Sequence, residues 1–293
     1  MFADLHGYIE LCFKLCARWE QEMGEHIDLI LQTGDLGAYP AEQWLDGATL
    51  RHARRDPEEL GFMHSFRRYD PSTLATLQRL QANLLFVRGN HEAHDWLDQL
   101  EQQARKPIFP VDVYQRVYCL KSGEPYTFRH NNEQITILGI GRIGAHGDGR
   151  IGHKPAHLQP YELERLSRLS DAPNGGGSTG EQIDVLVTHD APYGLIFPDS
   201  GLSAVQSVLQ DLRPLYHFFG HYLGHMFLEM CYLNRATYAC KLAEPHFNKK
   251  APDYTLTAGV MGILRWTDRR QRHFELVDAP WLGEYTARSW RAL

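Results

Sequence analysis

The chain has 293 residues, of which 43% are hydrophobic and 23% charged, an ordinary composition for a globular protein. This composition excludes whole-chain disorder, collagen-like repeats and a disulfide scaffold. The 36 acidic residues outnumber the 30 basic ones, and the resulting net charge of −6 argues against a general nucleic-acid coat, because such surfaces are basic.

Neither a membrane span nor a secretory signal is expected. No stretch approaches the roughly 18 consecutive apolar residues that a spanning helix needs, and the start of the chain lacks a basic region followed by an apolar core. The cysteines are odd in number and scattered, which predicts buried free thiols in a reducing compartment, the cytoplasm by default. They are Cys12, Cys16, Cys119, Cys231 and Cys240.

Apolar periodicity predicts helices and strands that alternate along the chain. In chain order the pattern predicts a helix over 8–23, a strand over 27–31, a helix over 72–82, a strand over 84–87, a helix over 95–103, a strand over 135–140, a helix over 160–169, a strand over 183–187, a helix over 202–212, a strand over 215–219, and shorter strands within 255–277 that turn at Arg269 and Arg270. Such alternation indicates an α/β sheet with helices on its faces. We expect one domain over residues 1–293, with an inserted excursion at about 41–70.

Residues that can bind metal ions follow the predicted strands. Near the start, two such residues stand two positions apart, so that in an extended segment both point to one side. Because ligands bind outside the carboxyl ends of the strands in open α/β sheets, we expect these distant residues to converge. The set comprises Asp4, His6, Asp35, Asn90, His189 and His221, with His91 directly after Asn90.

This donor set predicts a centre for two divalent ions. Mixed oxygen and imidazole donors suit Mn, Fe or Zn, and six ligands exceed the four that a tetrahedral zinc ion uses. Asp35 is the natural bridge between two ions, which could activate water and hold the oxygens of a displacement at phosphorus. His91 is placed to protonate the leaving oxygen as a general acid.

The ordered motifs resemble those of the calcineurin-like metallophosphoesterase superfamily. They are Asp4-Leu5-His6, Gly34-Asp35-Leu36-Gly37, Gly89-Asn90-His91-Glu92, Thr188-His189-Asp190 and Gly220-His221-Tyr222-Leu223. The resemblance implies a four-layer αββα sandwich of two mixed β-sheets flanked by helices. It also implies His91 as the proton donor, a first ion held by Asp4, His6 and Asp35, and a second ion held by Asp35, Asn90, His189 and His221.

Two positions depart from the superfamily pattern. Leu223 stands where the last motif has a second histidine, and leucine cannot coordinate, so the first ion would lose a ligand. Either His225 or water could take that place, or one ion only could bind. The superfamily's first strand also precedes its Asp-x-His motif, whereas three residues precede Asp4 here, so we expect a missing central strand or a start further upstream.

For several other polar residues the sequence leaves two structural interpretations open. Glu92 and Asp190 either orient neighbouring histidines or are solvated loop carboxylates, and His217 is a core histidine. The glycine-rich segment 141–157 is either a substrate loop, with arginine gripping phosphate, or solvated surface. Its polar residues are Arg142, His146, Arg150, His153 and His157.

The leading functional hypothesis is a phosphoesterase that hydrolyses a phosphomonoester or a phosphodiester by attack of a metal-bound hydroxide. A faint resemblance to RNA lariat debranching enzymes makes RNA one candidate substrate, although the sequence leaves nucleic-acid binding open. The competing hypothesis is a non-catalytic scaffold of the same fold that binds a protein partner, as some members of the superfamily do. The departures at Leu223 and at the start favour the scaffold, whereas His91, which serves chemistry, favours the enzyme.

Overall fold

The structure is a computed structural model. It describes residues 1–145, 153–170, 182–228, 230–231, 233–245, 247, 254–256 and 258–293. Within these ranges, no helix is long and apolar enough to cross a membrane. All five cysteines are buried and free, which confirms that part of the prediction.

The helices and strands alternate through most of the chain. The helices are α1 Ile9–Met23, α2 Gly47–Ala53, α3 Pro71–Gln78, α4 His94–Gln103, α5 Pro160–Ser170 and α6 Ser203–Asp211. The strands are β1 Leu29–Gln32, β2 Asn83–Phe86, β3 Ile108–Pro110, β4 Val117–Leu120, β5 Tyr126–His130, β6 Glu133–Ile140, β7 Val185–Thr188, β8 Tyr216–Phe219, β9 Met226–Leu228, β10 Tyr238–Lys241, β11 Gly262–Trp266 and β12 Arg272–Leu276.

Two mixed sheets form the centre of the molecule. The first has the strand order β1-β2-β4-β3, in which β1, β2 and β4 are parallel and β3 is antiparallel. The second has the order β5-β6-β7-β8-β10-β9, with four parallel inner strands and an antiparallel strand at each edge. The hairpin of β11 and β12 is a separate small sheet.

Three apolar layers separate the sheets and helices. Because side chains alternate along a strand, Ile30 packs towards α1 and α4 on one face of the first sheet, whereas Leu31 packs between the two sheets. In the second sheet, Val185 faces the layer between the sheets and Leu186 packs against α5 and α6. This arrangement is a four-layer αββα sandwich, so the predicted fold class is confirmed.

The predicted excursion at 41–70 packs onto the body of the protein. It contains α2 and short helical turns at Glu42–Trp44, Pro57–Leu60 and Phe62–Phe66. Phe62 and Phe66 are fully buried, and Phe66 stacks on Phe13 of α1 at a ring distance of 6.5 Å. The segment is therefore held firmly enough to present polar side chains to a site.

A cleft of about 260 Å³ lies between β1 and β11. Met1 exchanges two backbone hydrogen bonds with Gly262, and Phe2 pairs in parallel with Gln32, so residues 1 and 2 close one end of the cleft. Its sides include Leu29 and Leu264. These contacts do not test whether a central strand is missing or whether the protein starts further upstream, so both expectations stay predictions.

Candidate metal centre

The six predicted metal ligands lie at one edge of the two sheets. Asp35 follows β1, Asn90 follows β2, His189 directly follows β7, and His221 follows β8. Asp4 and His6 reach the same edge because the backbone of Phe2 pairs in parallel with the end of β1. The carboxyl ends of parallel strands thus bring together residues that are far apart in sequence.

The loops that carry the ligands are held in strained backbone conformations. The amides of Asp4 and His6 donate hydrogen bonds to the carbonyls of Gly34 and Asp35, at 3.1 and 2.8 Å. Asp4, His6, Asp35 and His221 all have positive φ angles, between 42° and 68°. Such conformations cost about 1–3 kcal/mol each in non-glycine residues and cluster at functional sites.

Two motif glycines allow the carboxylates to approach the backbone. A Cβ atom at Gly89 would lie 2.0 Å from Oδ1 of Asp35, and one at Gly220 would lie 2.3 Å from Oδ2 of Asp4. Any larger residue at either position would displace a candidate ligand. The glycines in these motifs are therefore required by close packing.

The ligand atoms form two groups that share one residue. One atom each from Asp4, His6 and Asp35 lie within 4.8 Å of one another, and the same holds for Asp35, His189 and His221. Asn90 joins the second group, since its Oδ1 lies 3.0 Å from Nε2 of His189. The structure thus brings all six predicted residues together, and their binding of ions stays a prediction.

The histidine orientations fit metal binding. Nδ1 of His189 lies 3.0 Å from the carbonyl of Thr33, which leaves Nε2 facing Asp35 at 3.4 Å. His6 turns Nε2 to Asp35 and Nδ1 to Glu59, both at 3.7 Å. Metal-binding histidines usually donate the other ring N–H to a carbonyl or a carboxylate. His189 has this arrangement, and Glu59 lies on the corresponding side of His6 but beyond hydrogen-bond distance.

The charges of the site favour a cation. Burial opposes ionisation of Asp35, but His189 and His6 nevertheless hold the pKa of Asp35 well below its usual value. Burial would lower the pKa of His189, but the charges of Asp35 and Asp4 raise it to about 10. These carboxylates therefore attract positive charge to the ring, and a bound metal ion would replace the proton there. Burial lowers the pKa of His221 to about 4, which keeps that imidazole neutral, as a metal ligand must be. The residues present therefore fit divalent metal ions.

His91 lies beside these groups and has a partner that the sequence did not reveal. Its backbone N–H donates to Oδ1 of Asp35, and its Nδ1 lies 2.7 Å from Oδ2 of Asp46. Burial would lower the pKa of His91, but the hydrogen bond to Asp46 and the charge of Asp35 raise it to about 9. An imidazolium is the form that a general acid requires.

Asp46 is itself held in place by several donors. Its Oδ1 accepts hydrogen bonds from the amides of Ala48 and Thr49 and so caps α2, while Oδ2 accepts from the hydroxyl of Tyr39 at 2.5 Å. An aspartate before a short helix predicts a cap. No sequence signal links that cap to His91.

Glu92 and Asp190 follow neither predicted alternative, because their carboxylates accept hydrogen bonds from backbone amides and, at Asp190, also from a tyrosine hydroxyl. Both are buried. Glu92 accepts hydrogen bonds from the amides of Leu36 and Ala38, and thereby fixes the loop after Asp35. Asp190 accepts from the amide of Gly144 and from the hydroxyl of Tyr222. They are neither solvated nor hydrogen-bonded to His91 or His189 by any contact that the structure describes.

The segment 141–157 gives a correction. Arg142 is fully buried, and its guanidinium binds Asp98 at 2.6 Å and Glu162 at 3.1 Å. It is thus unavailable for gripping phosphate, and the substrate-loop interpretation is wrong for this residue. His146 and Arg150 lie outside the described residues. His217 is a buried core histidine, as predicted, with Nε2 2.9 Å from Oγ1 of Thr188.

The position that lacks a histidine is open to solvent. The side chain of Leu223 is 85% exposed. The exposed His225 packs its ring against Gly259, where an added Cβ would lie 2.6 Å from the ring. Several candidate ligands line one cavity, which we call the metal cavity: Asp4, His6, Asp35, Asn90 and His221, together with His91. Leu223 is among its other described lining residues, whereas neither His225 nor the fully buried His189 is.

A family model described as calcineurin-like phosphoesterase matches residues 1–224. The chain belongs to this family. The matched residues contain every motif discussed above, from Asp4 to His221. The family generally binds divalent metals, in agreement with the two groups of ligand atoms.

Two further proteins are similar to the chain. The lariat debranching enzyme of Arabidopsis thaliana is 22% identical over 250 residues, which are 74% of this chain and 52% of that protein. The chain thus spans about half the length of the curated relative it matches. The sulfate thiohydrolase SoxB of Thermus thermophilus, solved in complex with glycerol, is 12% identical with a TM-score of 0.44, over 98% of this chain and 45% of that one.

Proposed function

We propose that this chain is a metal-dependent phosphoesterase that hydrolyses a phosphomonoester or a phosphodiester. The observation that carries the proposal is the arrangement around one cavity of two ligand groups that share Asp35, with the His91–Asp46 pair beside them. A structural role alone does not require a histidine–aspartate pair next to such groups. The family supports the same reaction class.

The ligand set suits two divalent ions of Mn, Fe or Zn, since it combines carboxylate, amide and imidazole donors. Asp4, His6 and Asp35 would hold the first ion, and Asp35, Asn90, His189 and His221 the second. When bound, such ions supply Lewis acidity, which neutralises charge on a phosphoryl group and makes water more acidic.

The chain itself supplies the proton for the leaving group. Because Asp46 holds Nδ1 of His91, Nε2 is the ring nitrogen left to face a substrate. His91 lines the cavity together with His221 and Asn90. We assign His91 as the general acid that protonates the leaving oxygen, and Asp46 as the residue that positions it.

A phosphodiester in RNA is one substrate to test, because the chain is 22% identical to a lariat debranching enzyme. The net charge of −6 does not favour a broad nucleic-acid surface. The proposed partner is therefore a phosphate ester, with lariat RNA as one arm of the assay. We also propose a cytoplasmic location, for which the five buried free thiols are the support.

The competing proposal is a protein-binding scaffold, and the exposed Leu223 is the observation that favours it. A scaffold does not need His91 to be paired with Asp46, so we place the hydrolase first. Activity measurements separate the two proposals.

The test offers p-nitrophenyl phosphate, bis(p-nitrophenyl) phosphate and a lariat RNA to the purified protein with Mn²⁺. We expect hydrolysis of at least one ester, its abolition by a chelator and by Asp35→Asn, and a loss of about 10²- to 10⁴-fold in His91→Ala, the usual contribution of a general acid. The exposed Asp28→Asn is the matched control and should keep full activity. A metal-loaded protein inactive on all three substrates would contradict the hydrolase proposal.

A further inference from the structure

The first ligand group is one donor short of the second. Asp4, His6 and Asp35 supply three protein ligands, whereas Asp35, Asn90, His189 and His221 supply four. The exposed Leu223 has no donor atom, and the exposed His225 packs its ring against Gly259. A further ligand, if the chain supplies one, must come from outside the five motifs.

One more strand of the second sheet ends at the same edge. β10 runs parallel to β8, with Lys241 opposite Phe219. The chain continues in register past the strand, because the amide of Leu242 donates to the carbonyl of Phe219. Glu244 therefore emerges at the carboxyl edge next to the loop that carries His221, where the other ligands follow their strands.

Glu244 lines the metal cavity together with Asp4 and His6. The local backbone is fixed, since the amide of Ala243 donates to the carbonyl of Gly259. The carboxylate thus lines the same cavity as the first group. It is not among the residues whose ligand atoms lie within 4.8 Å of one another, so its side chain would turn inward to bind an ion.

We propose that Glu244 is the ligand that completes the first metal site, in the place that a histidine at position 223 would fill. This inference rests on the proposed function, since it presupposes that both groups bind ions. Glu59, the other additional carboxylate on the cavity wall, faces Nδ1 of His6 and Nδ1 of His52. It therefore orients His6 from outside the site.

The exchange of imidazole for carboxylate makes the two sites chemically different. The first has three carboxylates and one imidazole, whereas the second has one carboxylate, one amide and two imidazoles. Oxygen-rich sites favour harder ions such as Mn²⁺ and Mg²⁺, and imidazole favours Zn²⁺. The first site therefore suits Mn²⁺ better than the second site does.

The test counts and titrates metal ions in the full chain, without using activity. Metal-free protein is dialysed against Mn²⁺, ions per chain are measured by mass spectrometry, and affinities by calorimetry. We expect two ions in the wild type. In Glu244→Gln we expect the dissociation constant of the weaker-binding Mn²⁺ ion to rise. The rise should exceed the about 10- to 100-fold that follows loss of a residue that only orients a ligand. At low Mn²⁺ concentration the variant should therefore hold one ion fewer than the wild type. His225→Ala should keep both ions.

Three further measurements make the outcome decisive. Glu59→Gln should weaken binding less than Glu244→Gln, because Glu59 acts through His6. The metal-free variants should unfold at the temperature of the metal-free wild type, which shows that the fold is intact. With Zn²⁺ in place of Mn²⁺, the difference between wild type and Glu244→Gln should be smaller.

The proposal is overturned if Glu244→Gln binds two Mn²⁺ ions as tightly as the wild type, or if His225→Ala loses one. A wild type with a single ion also overturns it, since there would be no ion for Glu244 to hold. A wild type that binds no ion contradicts the proposed function itself. Two ions in both wild type and Glu244→Gln contradict only the role of Glu244.

Discussion

Asp46 shows how one residue outside the motifs can control a residue inside them. Its carboxylate accepts from His91, caps α2 and binds the hydroxyl of Tyr39. A ring held through Nδ1 is restricted in orientation, and a charged acceptor stabilises its protonated form. The geometry of the pair therefore supports the proposed role of His91 as general acid.

We predict that Asp46→Asn lowers kcat by about 100-fold, at the low end of what general acid catalysis contributes, and leaves the metal content unchanged. Asparagine keeps an oxygen that can cap α2 but removes the charge that faces His91. Steady-state kinetics with an aryl phosphate, together with metal analysis, provide the measurement. Tyr39→Phe is the control, because it keeps the Asp46–His91 contact and should lower kcat much less. An unchanged kcat in Asp46→Asn would show that Asp46 does not position His91.

The convergence of the six candidate ligands and His91 was predictable, because each follows a strand or stands in a short ordered motif, and their roles stay predictions. Asp46 and Glu244 were not, since neither belongs to a motif. Asp46 precedes a seven-residue helix within the excursion, and Glu244 follows a four-residue strand. Their positions depend on how distant segments pack, which periodicity does not encode.

At the scale of elements, the longer amphipathic segments were predicted to within a few residues. The helix predicted over 8–23 is Ile9–Met23, and the strand predicted over 215–219 is Tyr216–Phe219. The prediction missed α2, β3, β4, β5, β9 and β10. These are short, and edge strands such as β3 and β9 gain their form from pairing with a neighbour rather than from a local pattern.

A buried ion-pair network connects the elements behind the metal centre. Arg142, which follows β6, binds Asp98 of α4 and Glu162 of α5, and Arg88, which follows β2, binds Asp98 and Glu101. Arg142 and Glu162 are both fully buried. The network links the sheet ends to helices on both outer faces of the sandwich.

We predict that Arg142→Leu lowers the free energy of unfolding by about 3–5 kcal/mol, because it leaves the charge of Glu162 buried without its partner. Urea denaturation is the measurement. Arg168→Ala breaks an exposed pair with Glu164 and should cost less than about 1 kcal/mol. Equal losses in the two variants would mean that the buried network does not stabilise the fold.

At the scale of the whole molecule, a cleft between β1 and β11 opens beside the apolar layer between the sheets. The cleft is enclosed as a buried strand would be, between a sheet and a helix. Ile135 and Ile137 of β6 line one side, and Cys16 and Trp19 of α1 line the other. In the described part of the chain, pairing across it is limited to the contacts of Met1 and Phe2. Backbone groups of two strand edges thus face the same space.

Because both flanks are apolar, an added strand should be apolar on both faces, as buried parallel strands are. It would run parallel to β1 and antiparallel to β11, in line with the pairing of Phe2 and Met1. Fusion to Met1 would also replace an α-amino group, whose pKa burial lowers, by an uncharged amide. The amide can donate to the carbonyl of Gly262, as the amino group does.

We therefore predict that five β-branched residues added before Met1 stabilise the protein, whereas a five-residue glycine–serine extension does not. Burial of each side chain contributes about 1.5–3 kcal/mol, against about 1–2 kcal/mol for fixing each backbone residue. Even about 1 kcal/mol of net gain raises Tm by about 1.5–2 °C in a chain of this length, because the unfolding entropy is about 2.1 cal/mol/K per residue. The measurement is the Tm of the two extended proteins and of the chain without an extension. If the added segment pairs with β11, amide hydrogen exchange in β11 should also become slower. Equal Tm values for the two extensions would mean that the cleft does not accept a strand.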